Sequence, residues 1–155
     1  MVSEAETGPS YTSTYKVAQS VDLLYGSRLH TRVEGRYITI FRYKGDLTAM
    51  DAICHHAGGP LTLGEIKDIE ELGTAVVLCP WHKYAVSLEG GRQVYQGVDI
   101  IDGKPVKAGW RKGKMTQRPH DVFENDGFIY LTLNALDEGA CVSDTDAKSE
   151  LCAKN

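Results

Sequence analysis

A chain of 155 residues, 42% hydrophobic and 25% charged, has the size and make-up of one soluble globular domain, and at that length it needs no disulfides to hold a core. The formal net charge of −4 speaks against a nucleic-acid partner, because phosphate recognition rests on clustered Lys and Arg. No apolar run approaches the roughly 18 residues that cross a bilayer, and Met1–Ser10 lacks the basic start and apolar centre of a secretion signal; a reducing cytosol, away from the membrane, is the expected compartment.

In chain order, residues 1–14 carry Ser, Thr, Glu, Gly and Pro with little to bury, and are predicted to form a disordered leader. Tyr15–Gln19 reads as a strand, and Ser20–Leu24 as a short helical turn with Ser20 as its N-cap. Arg28–Val33 and Arg36–Tyr43 are strand candidates joined by Glu34-Gly35, with glycine where a positive φ is needed. In the second of these, Tyr37, Thr39 and Phe41 alternate with Ile38, Ile40 and Arg42, the pattern of one buried face. Lys44-Gly45-Asp46 turns the chain into a strand over Leu47–Ile53.

Leu61–Leu72, with Glu65, Asp68, Glu70 and Glu71 against Lys67, reads as a solvated connection holding one helical turn. Thr74–Leu78 and Ala85–Leu88 are short strands, the second ended by Glu89-Gly90-Gly91. Residues 97–118 read as loop and are basic, with Lys104, Lys107, Arg111, Lys112, Lys114 and Arg118 and no acid from Gly103 onward. Pro119–Glu124 and Phe128–Asn134 make a last hairpin about Asn125-Asp126-Gly127. Residues 135–155 are acidic, Ser-rich and predicted disordered; Cys141 and Cys152, in this tail, have no ligand spacing and read as free thiols. Many short strands between glycine turns indicate an all-β domain.

The chemistry is concentrated in two short stretches, Cys54-His55-His56 and Cys79-Pro80-Trp81-His82. They form C-x-H, 22 intervening residues, then C-x-x-H. Two thiolates and two imidazoles can hold a tetrahedral zinc ion or an iron–sulfur cluster. Zinc fingers commonly pair Cys with Cys and His with His, whereas each half here mixes the two. A mixed pair suits a centre of two irons, one taking both sulfurs and the other both nitrogens. The C-x-H spacing selects His56 and leaves His55 beside the site. Gly58, Gly59 and Pro60 shape the first loop, Pro80 stiffens the second, and Trp81 covers the site, offers a docking surface or simply packs.

These paired motifs resemble those of the Rieske family, and most closely its soluble, single-domain Rieske-type ferredoxins, over Tyr15 to Asn134. The resemblance implies an antiparallel β-sheet base with a smaller cluster-binding subdomain inserted at about residues 52–86. It also implies one [2Fe–2S] cluster per chain, held by Cys54, His56, Cys79 and His82, with the imidazoles at an exposed tip. Two ferric ions, two sulfides and two cysteinates sum to zero, so an added electron meets less repulsion than in an all-cysteine cluster. The potentials of such centres run from about −150 to +300 mV, against about −400 mV for the plant-type cluster.

High-potential relatives have a disulfide between the two loops and hydroxyl donors after the last histidine. The matching positions here are Gly59 and Trp81, and Tyr84 and Val86. The disulfide and one donor are therefore missing, and a potential toward the low end is expected. Lys83 stands where the family usually has glycine.

The expected function is that of a monomeric one-electron carrier between a reductase and an acceptor oxidoreductase, rather than a stand-alone enzyme. A ferredoxin component of a multi-subunit Rieske oxygenase is one alternative, and a structural zinc or partner-binding module another. A free-standing oxygenase would need a mononuclear iron on two histidines and a carboxylate, and only His30, His55 and His120 remain for it. The acidic segment 65–71 and the basic segment 104–118 are candidates for electrostatic steering of a partner.

Overall fold

A computed structural model of the chain describes residues 14–24, 27–55 and 58–134. The leader 1–13, the tail 135–155 with Cys141 and Cys152, and His56 of the first motif lie outside the described residues. Among the described residues the strands are β1 (Thr14–Gln19), β2 (Arg28–Val33), β3 (Arg36–Tyr43), β4 (Asp46–Asp51), β5 (Glu65–Ile69), β6 (Thr74–Leu78), β7 (Ala85–Ser87), β8 (Arg92–Ile101), β9 (Lys104–Met115), β10 (Pro119–Asn125) and β11 (Phe128–Thr132).

They build two antiparallel sheets, in the orders β1-β11-β10-β4-β3-β2 and β5-β6-β7-β8-β9. In sequence the second sheet lies between β4 and β10 of the first, so the chain leaves the base sheet, builds the other and returns. The antiparallel all-β fold expected from the sequence is the fold found.

Two-residue turns set much of the register. Glu34-Gly35, Lys44-Gly45, Asp102-Gly103 and Asp126-Gly127 all hold positive φ at both positions, the mirror-image turn whose twist matches that of the strands it joins. Their ladders close directly on the turn, at Val33↔Arg36, Tyr43↔Asp46, Ile101↔Lys104 and Asn125↔Phe128.

The sheets meet through β3 and β4. The sequence suggests one buried face for β3, yet Ile38, Thr39, Ile40 and Phe41 are all buried. Ile38 and Ile40 enter a core with Leu23, Val33, Ala49, Ile129 and Leu131. Phe41 and Met50 face the other way, into a core with Leu61, Val77, Val86 and Leu88 of the second layer. Full burial of a side chain such as Phe41 stabilises by about 1.5–3 kcal/mol, so this contact seats the second sheet on the first. On the far side of the second sheet Val76, Ala85 and Val94 pack with Ile69, and Trp110 covers them.

Three local expectations are corrected. Residues 97–118 are not a loop but mostly the long β8–β9 ribbon. Its exposed Val98, Ile100, Ile101 and Val106 leave no buried face to produce an alternating pattern. The connection 61–72 contains β5 between turns of 3-10 helix at Leu61–Leu63 and Glu70–Leu72; β5 is an edge strand, and its charged side chains hide the period of two. The turn at Ser20–Asp22 is preceded by Gln19 at the N-cap, whose N–H is received by the Asp22 carboxylate at 3.2 Å.

Candidate metal centre

The two motif loops are folded on one plan. Cys54 N–H donates to the Gly59 carbonyl at 2.8 Å, and Gly58 N–H donates back to the Cys54 carbonyl at 2.9 Å. In the second loop Cys79 N–H donates to Tyr84 at 2.9 Å, and Lys83 N–H donates to Cys79 at 2.8 Å. Each loop is closed one step further out by a strand-like pair, Ile53↔Pro60 and Leu78↔Ala85. The fourth residue after each cysteine turns through positive φ, 79° at Gly58 and 58° at Lys83. The sulfurs thereby start from two matched sockets, each at the end of a strand.

Cys54 and Cys79 are buried, 0% and 1% exposed, in the inter-sheet core with Phe41, Met50 and Leu61. His82 is exposed. Among the described residues no three His, Cys, Asp or Glu side chains gather closely enough to hold one metal ion. Sulfur donors inside and an imidazole outside are a donor set suited to a group containing two metal atoms.

Glycine at position 59 is required by this closeness: a Cβ there would stand 2.5 Å from Cys79 Sγ and 3.1 Å from Trp81 Cγ. The half-exposed Trp81 indole thus lies against the first loop at Gly59. The two positions that match a disulfide in high-potential relatives are neighbours here, joined by packing. The loops touch again where the His55 ring meets the Tyr84 ring edge-on, with centroids 4.9 Å apart. Tyr84 Oη accepts a hydrogen bond from Gln93 Nε2 on β8 at 2.6 Å.

The remaining histidines are dispersed. His55 is buried against Gln117. His30 Nδ1 meets Thr62 Oγ1 at 3.0 Å, and burial lowers its pKa. His120 Nε2 lies 2.9 Å from Asp51 Oδ1, while its Nδ1 accepts the Asn134 N–H. That pattern assigns the hydrogen to Nε2, donating to a carboxylate that Arg36 holds from the other side at 2.6 Å. Three histidines serving three separate contacts do not assemble the two-histidine, one-carboxylate site of an oxygenase.

Gln117 has no sequence signal that singles it out. It follows a lysine-rich run, and nothing in its neighbours indicates that its side chain turns inward to the first loop. The acidic segment is likewise drawn toward the base of the ribbon: Glu71 Oε2 accepts from the Trp110 N–H at 3.4 Å.

The chain matches the family described as soluble Rieske-type ferredoxin over residues 16–136. It is 38% identical over 122 residues to a human Rieske domain-containing protein, a match covering 79% of this chain and 76% of the relative. Among solved structures it resembles a putative NADH-dependent nitrite reductase small subunit from Mycobacterium tuberculosis, with a TM-score of 0.58 at 17% identity over 81% of this chain and 98% of that one. It also resembles a chain in the reduced complex between oxygenase and ferredoxin of carbazole 1,9a-dioxygenase, with a TM-score of 0.57 at 20% identity over 82% of this chain. This chain spans only 30% of that one, and both structural likenesses concern the fold. Two matched cysteine loops on an antiparallel base, with a family match across most of the length, place this chain in the soluble Rieske-type ferredoxin family.

Proposed function

We propose that this protein is a cytoplasmic, monomeric one-electron carrier working between a reductase and an acceptor oxidoreductase. Its [2Fe–2S] cluster would be held by Cys54, His56, Cys79 and His82, within a Rieske domain of residues 15–134 whose cluster-binding part is drawn from about residues 52–86. The observation that carries the reading is the pair of matched loops, which bury two sulfurs in one core and leave His82 at the surface. When bound, such a cluster supplies reversible one-electron chemistry at a potential set by its ligands and surroundings.

The chain's own residues do the rest. Phe41, Met50 and Leu61 keep water from the sulfur side. Trp81 lies over the first loop at Gly59 and shields the gap between the loops. The exposed His82 offers an electron a way out toward a docked partner. An oxygenase, the partner named in one structural neighbour, is a reasonable first acceptor to assay.

The test is elemental and spectroscopic. Two irons and two sulfides per chain, with a rhombic signal of low average g after dithionite reduction, are the expected result. A colourless protein with one zinc per chain would overturn the proposal. The expected potential lies in the lower part of the range of about −150 to +300 mV, and a value above about +200 mV would contradict that placement.

A further inference from the structure

Gln117 is fully buried in the segment joining β9 to β10. Its side chain spends both ends of the amide on the first loop. Nε2 donates to the carbonyls of Asp51 and Ile53, each at 2.9 Å. Oε1 accepts the His55 N–H at 2.6 Å and faces His55 Nδ1 at 3.2 Å. The reverse amide orientation would set oxygen against two carbonyls and NH2 against an N–H, so the pattern of partners fixes which end is which. These contacts fall on both sides of Cys54.

The main chain of Gln117 is tied elsewhere. Its N–H donates to the Gly91 carbonyl at 3.1 Å, as the Thr116 N–H does at 3.0 Å. A Cβ at Gly91 would stand 2.0 Å from the Gln117 carbonyl oxygen, and the residue holds φ at +59°, so this approach requires glycine. Gly91 ends the turn after β7, the strand that leaves the second loop at Ala85. The backbone of Gln117 therefore belongs to the sheet carrying Cys79, while its side chain grips the loop carrying Cys54.

We propose that Gln117 is a positioning residue that sets the first motif loop against the second and so fixes the separation of the two cysteines. It touches neither sulfur. A buried amide costs stability unless its hydrogen bonds are met, and a fully met one makes its surroundings rigid and specific. The inference rests on the proposed cluster reading for its redox consequence, but the grip on the loop stands on the hydrogen bonds alone.

The test compares loaded wild-type protein with Gln117→Leu, which removes every side-chain hydrogen bond, and Gln117→Glu, which keeps an acceptor for His55 but offers no hydrogen to Asp51 or Ile53. Loss of colour to a chelator is expected to be about tenfold faster in the leucine variant, the size usual when a group orienting a ligand is lost. Its g values should shift, amide hydrogen exchange over residues 50–58 should rise, and the glutamate variant should fall between. Wild-type bleaching, g values and exchange in both variants would overturn the assignment, as would a lower melting temperature with those three unchanged. Should Gln117→Leu fail to fold, Gln117→Glu and wild-type exchange decide: a His55 amide exchanging as fast as an exposed one would also overturn it. Wild-type protein that takes up no iron would sink the electron-carrier reading, while exchange over 50–58 still answers for Gln117.

Discussion

Gly58 and Lys83 occupy the same place in two loops of the same design, and both hold the left-handed backbone conformation, at φ of 79° and 58°. A lysine pays for that conformation where glycine does not. Lys83→Gly should therefore stabilise the protein by about 1 kcal/mol, after part of the gain is offset by the freer unfolded chain. The melting temperature should rise by about 2–4 °C. Gly58→Ala should lower stability by about 1–2 kcal/mol. Thermal melts of the two variants beside the wild type check both signs.

His55 and His56 adjoin in sequence, and their substitutions should part company. His55→Ala keeps the main-chain N–H that donates to Gln117 and loses the ring contacts with Gln117 and Tyr84. A cost of about 1–2 kcal/mol with full iron content is expected. His56→Ala should empty the centre. Iron and sulfide assays decide, and the opposite result would move the ligand assignment to His55.

Gly59→Ala introduces a methyl group 2.5 Å from Cys79 Sγ. Such overpacking costs about 1–3 kcal/mol, and here the atom displaced is a proposed ligand. Iron per chain should fall to less than about half the wild-type content, a larger loss than any drop in secondary structure seen by circular dichroism.

Acid should loosen the base sheet at a specific pair. Hydrogen bonds from Arg42 hold the Glu124 carboxyl below its usual range, and the same pair raises the arginine; the contacts are 2.9 and 2.6 Å. A carboxylate with a lowered folded pKa contributes stability above its unfolded value, and that contribution disappears as pH falls through the folded one. The urea midpoint of wild-type protein should thus drop more steeply than that of Glu124→Gln between about pH 5 and pH 3. Parallel curves would show that the pair adds nothing.

Strand limits are legible where apolar, β-branched runs meet glycine turns, even where burial does not alternate. β2, β3 and β6 begin and end where those signals place them. The outer part of the β8–β9 ribbon has no periodic signal, because Val98, Ile100, Ile101 and Val106 about its turn are all exposed, although Asp102-Gly103 is a strong local hairpin signal. At the candidate centre, the Cys54 and Cys79 motifs stand out in the sequence because donor chemistry restricts which residues can serve, and both cysteines are buried in one core. Gln117 does not stand out, since four hydrogen bonds assembled from positions 51, 53 and 55 leave no trace in its own neighbourhood.

The hydrogen bonds that Cys54, Gly58, Cys79 and Lys83 donate in closing the two loops run from main chain to main chain. These closures do not depend on what the two cysteine side chains carry. Exchanging both cysteines for serine should silence the protein electrically and leave its outline nearly unchanged. Such a decoy would occupy a partner's docking face without delivering charge, and would separate recognition from conduction in a mixture of the two.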